Sequence, residues 1–427
     1  MSHQPNRGIA YWRALFEEGP EVAADAYLDF AKSSTSTAVF AHLPDTETLR
    51  ERFRRAESAK GPLQGVPVAV KDNFHAAGHP TGAGSAFFAE LHGEVSDDAN
   101  LVADAKNLGA VVAGKTQLNE FAYGLSGRND HFGDCPHPVV SRGATGGSSS
   151  GSAAAVASGA CPLALGTDTA GSLRVPAAWC GLFSLRVPRR DWSTQGVVPL
   201  APSIDTAGWL AGSAEDMLLA SENLLGRGGS RVGKRLKVMS LLQHAGALDL
   251  ELREALEELD VQLDVTSEPE GAAYLAFNLV GADYAYNILS SHEAWHVHAE
   301  WLDEYKARYS ERVWQRIDRG RHWSAQELEM ANKKKNSVTQ AFKDIFLNYD
   351  AVVLPAVPMP TPPLRMVNEP VRNRLVQLNA PASLARLPVL TVPLKLADGR
   401  SGGAQIIFPG MVRMRFSEVL ALFYGDA

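Results

Sequence analysis

Residues 166–177, GTDTAGSLRVPA, place Ser172 between a turn of small residues and an arginine that is soon followed by a proline. A strand-like segment, LALG at 163–166, precedes the turn. A serine in such a position could act as a nucleophile if a neighbouring group removed its proton. No histidine lies near Ser172 in the chain, so the sequence must supply another base from elsewhere.

Length and composition indicate an ordinary globular protein. The chain has 427 residues, of which 45% are hydrophobic and 21% charged, with a formal net charge of −7. A chain of this size buries most of its surface in a large core. Its longest basic run is KKK at 333–335, so we expect no nucleic-acid partner. No window approaches 18 continuous apolar residues, so we expect no membrane span.

The sequence shows no pattern typical of a signal peptide or of a set of disulfide bonds. The first residues contain no apolar run long enough for a signal peptide. The three cysteines, Cys135, Cys161 and Cys180, are too few and too irregularly spaced for a disulfide framework or a cysteine metal site. We therefore expect a cytoplasmic protein without a metal or another cofactor. The sequence leaves the oligomeric state open, with a homodimer as one alternative.

The apolar runs predict an α/β fold. GVPVAVKDN at 65–73 and VVAGKT at 111–116 are typical of buried strands, with a helix between them. VQLDV at 261–265 also predicts a strand. Helices are predicted over 270–347, one of them beginning at the capping box SAQE, 324–327. LPVLTVPLKLADGRSGGAQIIFP at 387–409 predicts a hairpin of two core strands.

Strands at both ends of the chain favour a single large domain over residues 1–427. Within it we distinguish a core of about 61–225, a variable helical region of about 231–350, and strands of about 351–410. We expect these last strands to complete the sheet of the core.

One motif suggests a nucleotide. GAVVAGKT, Gly109 to Thr116, matches the pattern of a phosphate-binding loop. Such a loop needs a strand before the first glycine and a helix that starts at the lysine. Here a helix precedes Gly109, and the residues between the two glycines resemble the strand itself. We therefore interpret this match as a strand with no phosphate-binding role.

A second motif suggests zinc. HEAWH, His292 to His296, would place two histidines on one helix face, with Glu293 as a general base. A catalytic zinc site needs a third protein ligand, and only Glu311, which has no supporting pattern, lies at a suitable distance downstream. The alternative is an amphipathic helix on which Trp295 packs. A zinc peptidase stays open as a hypothesis from a different class of enzyme.

A third motif, GSSSG at Gly147 to Gly151, would make Ser149 the nucleophile of an α/β-hydrolase elbow. That elbow requires a strand immediately before it. The preceding CPHPVVSRGATG is rich in prolines and glycines and predicts a loop instead. The context therefore argues against Ser149 as the nucleophile.

The remaining candidate combines three segments. Lys71 ends an apolar strand, TGGSSSGSAAAVASG spans 145–159, and Ser172 lies in the stretch quoted above. Glycines and serines before a small-residue helix expose the amides and hydroxyls that an anion-stabilising site requires. Burial of a lysine lowers its pKa, and a neutral amine is a competent base.

Together these segments resemble the amidase signature family. The family's Gly-Gly-Ser-Ser-Gly-Gly block corresponds to GGSSSG at 146–151, and its Gly-Thr-Asp-Thr-Gly-Gly-Ser-Ile-Arg block to GTDTAGSLR at 166–174. The two functional serines, Ser148 and Ser172, are 24 positions apart, as in that family. The likeness is strongest over about 61–225 and returns near 350–410. It implies one large α/β domain with a mixed central sheet covered by helices on both faces.

The resemblance also implies roles for particular residues. Ser172 would attack a carbonyl carbon and form an acyl-enzyme, while Ser148, on a cis peptide, would pass the proton to Lys71 as base. The backbone amides of the nucleophile loop would form the oxyanion hole. Asp168 would brace that loop and Arg174 would support it structurally. The oxyanion amides are those of Thr169, Ala170, Gly171 and Ser172.

Two departures from the family pattern are Ser150 and Ala170, each in place of a glycine. At Ala170 a positive φ would cost up to ~1 kcal/mol. Both changes leave the three catalytic positions intact, so we expect an active enzyme.

Substrate-binding residues are implied on the segment FAYGLSG, 121–127, namely Ala122, Ser126 and Gly127. Trp295 and Trp301 are candidates for an aromatic pocket wall, with core packing as the alternative. The segments at 193–211 and 293–302 resemble the short branch that includes indole-3-acetamide hydrolases. This implies hydrolysis of a small-molecule carboxamide to a carboxylic acid and ammonia. The alternative within the same chemistry is a glutaminase-type component of a tRNA-dependent amidotransferase, which would need a partner protein.

Overall fold

The computed structural model describes residues 7–31, 39–188, 191–225, 236–410 and 415–425. These residues form one mixed ten-stranded sheet with helices packed against it. The strands are β1 (Phe40–His42), β2 (Pro67–Lys71), β3 (Val111–Thr116), β4 (Leu163–Asp168), β5 (Phe183–Arg186), β6 (Thr206–Ala211), β7 (Val238–Ser240), β8 (Ala351–Pro355), β9 (Val389–Lys395) and β10 (Ser401–Ile407).

The α-helices of the described residues are distributed along the whole chain. They are α1 (Ile9–Glu18), α2 (Pro20–Ala31), α3 (Thr46–Ala56), α4 (Phe88–His92), α5 (Asn100–Asn107), α6 (Ser150–Ala157), α7 (Arg174–Cys180), α8 (Asp191–Thr194), α9 (Ala214–Leu224), α10 (Leu250–Gln262), α11 (Pro269–Leu279), α12 (Ala282–His298), α13 (Glu311–Asp318), α14 (Ala325–Ile345), α15 (Glu369–Leu384) and α16 (Arg415–Leu420).

The strand order across the sheet is β1-β3-β2-β4-β6-β5-β9-β10-β8-β7. The pairs β2/β3, β2/β4 and β7/β8 are parallel, and the other pairs are antiparallel. β9 and β10 form the hairpin that the sequence predicts, and β9 pairs with β5 of the signature core. The C-terminal strands therefore lie in the same sheet as the core strands, and the predicted α/β fold class is confirmed.

Burial explains why the central strands are apolar throughout. Every residue of β2, β3 and β4 is buried, which requires cover on both faces of the sheet. The segment GAVVAGKT is β3 with its flanking turn, as its context predicts, and Lys115 lies in the sheet interior. The capping box at the start of α14 is also confirmed, because Ser324 and Glu327 cap each other's backbone amides.

One predicted strand is wrong. VQLDV at 261–265 is not extended, because α10 continues to Gln262 and a turn follows. Val261 is 80% exposed, so its β-branched side chain has no core to pack against, and the helix continues through it. In the part of the chain that the structure describes, no helix is long and apolar enough to span a membrane.

The topology brings the candidate residues to one edge of the sheet. β2 and β4 are parallel neighbours, and Val70 aligns with Leu165. Their carboxyl ends therefore meet at the same edge, where Lys71 ends β2 and Asp168 ends β4. The loops that lead into α6 and α7 meet at this edge, and they carry the two serines.

Candidate active site

A buried lysine and a buried serine are in contact at this edge. Lys71 Nζ lies 2.7 Å from Ser148 Oγ and 2.7 Å from Thr167 Oγ1, and all three side chains are buried. Asn73 donates from Nδ2 to the same Thr167 hydroxyl at 3.1 Å. The lysine that ends β2 is thus brought to the serine predicted to receive and pass on a proton.

Lys71 differs from two other cations that are buried on strands of the same sheet. Lys115 Nζ lies 2.8 Å from Asp72 Oδ1, and Arg186 Nη1 lies 3.2 Å from Asp168 Oδ1. Among the described residues, Lys71 has hydroxyl partners but no carboxylate in ion-pair contact. A buried ammonium without a counter-ion is costly, so this is the cation best placed to lose its proton.

The pKa of Lys71 follows from that environment. Burial lowers it from 10.5 to about 7, while the more distant charges of Asp168 and Asp205 oppose the shift. A large fraction of Lys71 is therefore neutral near pH 7 and can accept a proton.

Ser172 lies on the loop between β4 and α7. Its carbonyl oxygen accepts a hydrogen bond from the amide of Ser149 at 3.2 Å, which ties the two serine segments together. The peptide bond between Gly147 and Ser148 is cis, as the resemblance implies. Within the described residues, Ser172 Oγ makes no hydrogen bond, so its hydroxyl is free to be recruited by a substrate or by Ser148.

The loop around Ser172 presents unpaired backbone amides. The N–H groups of Thr169, Ala170 and Ser172 have no acceptor in the described part of the chain, although all three residues are buried. Orphaned buried amides are rare unless they serve a ligand. The amide of Gly171 instead donates to Asp168 Oδ1 at 2.9 Å, so three of the four predicted amides are available.

The backbone φ angles of this loop show whether alanine at position 170 is strained. Ala170 does not adopt a positive φ, whereas Gly171 has a φ of +113°. A Cβ on Gly171 would lie 2.9 Å from Asn379 Cγ, so this position needs glycine for space as well as for conformation. The alanine therefore stands where an L-residue fits without the expected cost.

Asp168 holds the nucleophile loop from below. Its carboxylate accepts from the amides of Gly171 and Leu173 and pairs with the guanidinium groups of Arg174 and Arg186. Burial alone raises the pKa of Asp168, but the two arginines hold this pKa well below its usual range. The carboxylate is therefore charged, and it contacts two backbone amides of the loop.

Arg174 extends this support to the C-terminal elements. It donates to the carbonyl oxygen of Asn379, to Ser383 Oγ on α15 and to Gln405 Oε1 on β10, at 2.7–2.9 Å. A fully buried guanidinium with all these partners satisfies its donors. These contacts join the loop after β4 to α15 and β10.

The predicted substrate segment is organised by a residue that the sequence analysis missed. Asn119 accepts from the amide of Gly127 at 3.1 Å and donates to the carbonyl oxygen of Arg128 at 2.7 Å. Ala122 lines the cavity at Ser172, whereas Ser126 lines only a neighbouring cleft. Gly127 lines neither, and its φ of +85° and close approach to Gly146 give it a backbone role.

Three hollows that share lining residues lie around the site, and we name them by those residues. The nucleophile chamber is lined by Ser172, Ala170, Leu200, Tyr286, Arg372 and Val376, among others. The Asp205 chamber shares Ala122, Thr169 and Leu200 with it and reaches Asn73 and Thr167. The arginine cleft shares Tyr123, Gly124, Leu125 and Arg372 with the nucleophile chamber and is also lined by Arg128, Arg312 and Arg316.

Asp205 is a second residue that sequence analysis missed. It accepts from Thr169 Oγ1 at 2.6 Å and from the amides of Leu200 and Ala201 at 2.8 and 2.9 Å. Burial raises the pKa of Asp205 to about 6. Asp205 therefore connects the loop after β4, through Thr169, to the segment at Leu200 and Ala201.

The zinc hypothesis gains no third ligand. His292 and His296 are neighbours on α12, with 3.3 Å between their Nε2 atoms. Glu293 instead accepts from the backbone amide and hydroxyl of Ser203, and Glu311 accepts from Gln315. The described residues contain no group of three histidine, cysteine or acidic side chains arranged to hold a metal ion.

The contacts of Ser149, Trp295 and Trp301 argue against two hypotheses from the sequence, an α/β-hydrolase elbow at Ser149 and an aromatic pocket wall of the two tryptophans. Ser149 donates from Oγ to the carbonyl oxygen of Thr167 at 3.2 Å and follows a loop, so the elbow geometry is absent at this position. Trp301 packs against Phe88 and His298, and Trp295 against its helix neighbours. Neither tryptophan lines the three hollows.

The sequence analysis also did not single out Arg186 and Thr167, although the sequence contains a signal for each. Arg186, like Lys71, is a charged residue at the end of an apolar strand. Thr167 lies inside the GTDTAGS block itself. Asn119 and Asp205 carry no local signal, because their partners are brought to them only by the fold.

Comparison with known proteins places this site in a family. The family model described as Amidase matches residues 25–261 and 243–409. The chain belongs to the amidase family. It is thus an amide-hydrolysing enzyme, and the resemblance stated from the sequence is confirmed.

Individual relatives differ in what their names describe. An indoleacetamide hydrolase of Pseudomonas savastanoi is 46% identical over 168 residues, which cover 39% of this chain and only 36% of that protein. A glutamyl-tRNA(Gln) amidotransferase component of Symbiobacterium thermophilum is 33% identical over 407 residues, which cover 84% of this chain and 82% of that protein. A crystal structure of an amidase superposes with a TM-score of 0.83 at 28% identity, over 97% of this chain and 98% of that one.

Proposed function

We propose that this amidase hydrolyses a small primary carboxamide to a carboxylic acid and ammonia, with Ser172 as nucleophile, Ser148 as relay and Lys71 as base. The observation that carries the proposal is the contact of 2.7 Å between the buried, uncompensated Lys71 Nζ and Ser148 Oγ.

The reaction begins with neutral Lys71. The amine takes the proton of Ser148 as Ser148 takes the proton of Ser172, and Ser172 Oγ attacks the amide carbon. The hydrogen bond between the two serines is absent in the free enzyme, and such bonds often form only when substrate is bound. The negative charge that develops on the carbonyl oxygen is stabilised by the amides of Thr169, Ala170 and Ser172.

The leaving group and the water complete the cycle. Protonated Lys71 returns its proton through Ser148 to the departing nitrogen, so that ammonia leaves and an ester with Ser172 remains. Water then attacks this ester as Lys71 again accepts a proton, and the carboxylic acid is released. Overall one amide and one water give one acid and one ammonia.

The second candidate is hydrolysis of glutamine as part of an amidotransferase. It is supported by the relative that matches most of this chain under that name. The nucleophile chamber weighs against it, because none of its described lining residues is acidic and the α-ammonium of glutamine would have no counter-charge there. We therefore favour the small carboxamide.

The deciding experiment measures ammonia release from a panel of aliphatic and aryl carboxamides and from glutamine. We expect Ser172→Ala and Lys71→Ala to lose activity by roughly 100-fold to 10,000-fold. The matched control is Ser150→Ala, because Ser150 is buried in the same block and its Oγ makes no hydrogen bond to Lys71, Ser148 or Ser172 in the described part of the chain.

Chemical labelling separates this mechanism from the zinc hypothesis. Phenylmethylsulfonyl fluoride should modify Ser172, located by peptide mass spectrometry, and a chelator should leave activity unchanged. Inactivation by the chelator without labelling of Ser172 would refute the proposed nucleophile.

A further inference from the structure

Arg372 has an unusual place in the nucleophile chamber. Among the described residues it is the one charged side chain that lines this chamber, together with Ser172, Ala170, Leu200, Tyr286 and Val376. Its side chain is only 13% exposed. A cation in a largely apolar chamber beside the nucleophile needs an explanation in terms of a partner.

The partners of Arg372 within the described chain are weak. Nε is buried with no hydrogen-bond partner, and Nη1 donates to Asn373 Oδ1 at 3.4 Å. The carboxylate of Glu369 lies 3.8 Å from Nη1, beyond hydrogen-bond distance. Most of the five N–H donors of this guanidinium are therefore available to a ligand.

Glu369 is held by another arginine. Arg316 Nη2 lies 2.5 Å from Glu369 Oε1, and its Nη1 donates to the carbonyl oxygen of Tyr123 at 3.0 Å. Two guanidinium groups thus share one carboxylate that is itself 60% exposed. The two guanidinium groups and the single carboxylate together carry one net positive charge, which one further carboxylate would neutralise.

The arginine cleft beside the nucleophile chamber also has a net positive charge. The arginine cleft adjoins the nucleophile chamber, because Tyr123, Gly124, Leu125 and Arg372 line both. Its lining contains one more basic than acidic side chain, and an excess of this sign attracts anions. The charged residues that line the cleft are Arg128, Arg312, Arg316 and Arg372, with Glu120, Asp130 and Glu369.

We propose that the acyl part of the substrate carries a carboxylate that binds Arg372, so that the enzyme acts on the monoamide of a short dicarboxylic acid. The inference rests on the proposed function, because it assumes that the carbonyl carbon is attacked by Ser172. Arg372 then selects the substrate: its guanidinium fork receives the carboxylate while the amide end faces the oxyanion amides.

Two isosteric amides test the proposal. Succinamate carries the carboxylate, and 4-oxopentanamide replaces it with a neutral methyl ketone of similar shape. In the wild-type protein kcat/KM should be higher for succinamate. In Arg372→Gln the ratio of the two kcat/KM values should fall by roughly 10- to 150-fold, the range expected for hydrogen bonds to a charged group.

Arg374→Gln is the matched control. Arg374 lies on the same helix two residues away, contacts Gln377 and the carbonyl oxygen of Ala247, and does not line the chamber. Its replacement should keep the wild-type ratio. Arg372→Lys, which retains the charge without the fork, should retain part of the preference and shows that the effect does not come from misfolding.

Binding measured without turnover separates this inference from the proposed function. In Ser172→Ala, calorimetry should give tighter binding of succinamate than of 4-oxopentanamide, and adding Arg372→Gln should remove the difference. Equal binding of both amides, or an equal loss of kcat/KM for both in Arg372→Gln, would overturn the role of Arg372. So would higher kcat/KM for indole-3-acetamide than for succinamate. Full activity of Ser172→Ala would instead refute the proposed nucleophile, and the binding result would still decide the role of Arg372.

Discussion

Replacement of Lys71 by methionine should inactivate the enzyme and stabilise its fold. Burial lowers the pKa of Lys71 from 10.5 to about 7. At pH 7 this difference costs the folded state about 4 kcal/mol, because the unfolded chain binds the proton more tightly. Methionine has a similar shape and removes this cost. The loss of the two hydrogen bonds of Lys71 destabilises the variant by about 2 kcal/mol. We therefore expect a net gain of about 2 kcal/mol in the free energy of unfolding at pH 7.

The pH dependence gives the stricter test. The cost is largest below the folded pKa of about 7 and disappears above the unfolded value of 10.5, so wild-type stability recovers as the pH rises between them. Between about pH 7 and about pH 9.5, the wild-type free energy of unfolding should rise relative to that of Lys71→Met by about 3 kcal/mol. Urea unfolding at both pH values, followed by fluorescence or circular dichroism, measures this difference.

Lys115→Met provides the contrasting variant. Lys115 is equally buried but pairs with Asp72 at 2.8 Å, so its removal leaves a buried carboxylate without its partner. We expect a loss of about 3–5 kcal/mol instead of a gain. A parallel pH dependence of wild type and Lys71→Met would refute the lowered pKa, and with it the argument that Lys71 is neutral enough to act as base.

Three further predictions concern the same edge of the sheet. First, kcat/KM should rise with pH through an apparent pKa of about 7 and fall about tenfold per pH unit below it, because only neutral Lys71 accepts a proton; initial rates from about pH 5.5 to about pH 9 measure this, and a flat acid limb would contradict it. Second, Asp168→Asn should lower the free energy of unfolding by about 3–5 kcal/mol, since Arg174 and Arg186 lose their buried counter-charge; the exposed Asp398→Asn is the control in denaturant titrations. Third, Gly171→Ala should lower kcat more than it changes KM, because the position has a φ of +113° and the added Cβ would lie 2.9 Å from Asn379 Cγ, so that the loop between β4 and α7 must move; wild-type kcat in this variant would show that the loop tolerates the shift.

The chemistry of the site was predictable where the signal is local. Lys71 ends an apolar strand, and the two serines lie in short blocks rich in glycine, serine and threonine. Such positions are defined by backbone geometry, which a few adjacent residues determine. The parallel pairing of β2 with β4 then brings these segments together without further information from the rest of the chain.

Residues that select or position a substrate were less accessible. Arg372 and Arg374 lie two positions apart on one helix. Nothing in NEPVRNRLVQLNAP, 368–381, distinguishes the arginine that lines the same hollow as Ser172. Asp205 and Asn119 likewise acquire their partners through loops that meet only in the folded chain. Sequence patterns report the period of an element, whereas these contacts depend on how distant elements pack.

The partners of Arg174 also lie far apart in the order of synthesis. This side chain joins the nucleophile loop to Gln405, 231 positions further along the chain. During synthesis, Lys71, Ser148 and Ser172 are all made well before β10, which carries Gln405. At roughly 5–20 residues per second this interval lasts on the order of 10–50 s. The nascent chain therefore carries all three residues for some time before Arg174 can contact β10, and the support beneath the loop is complete only when this strand has been added.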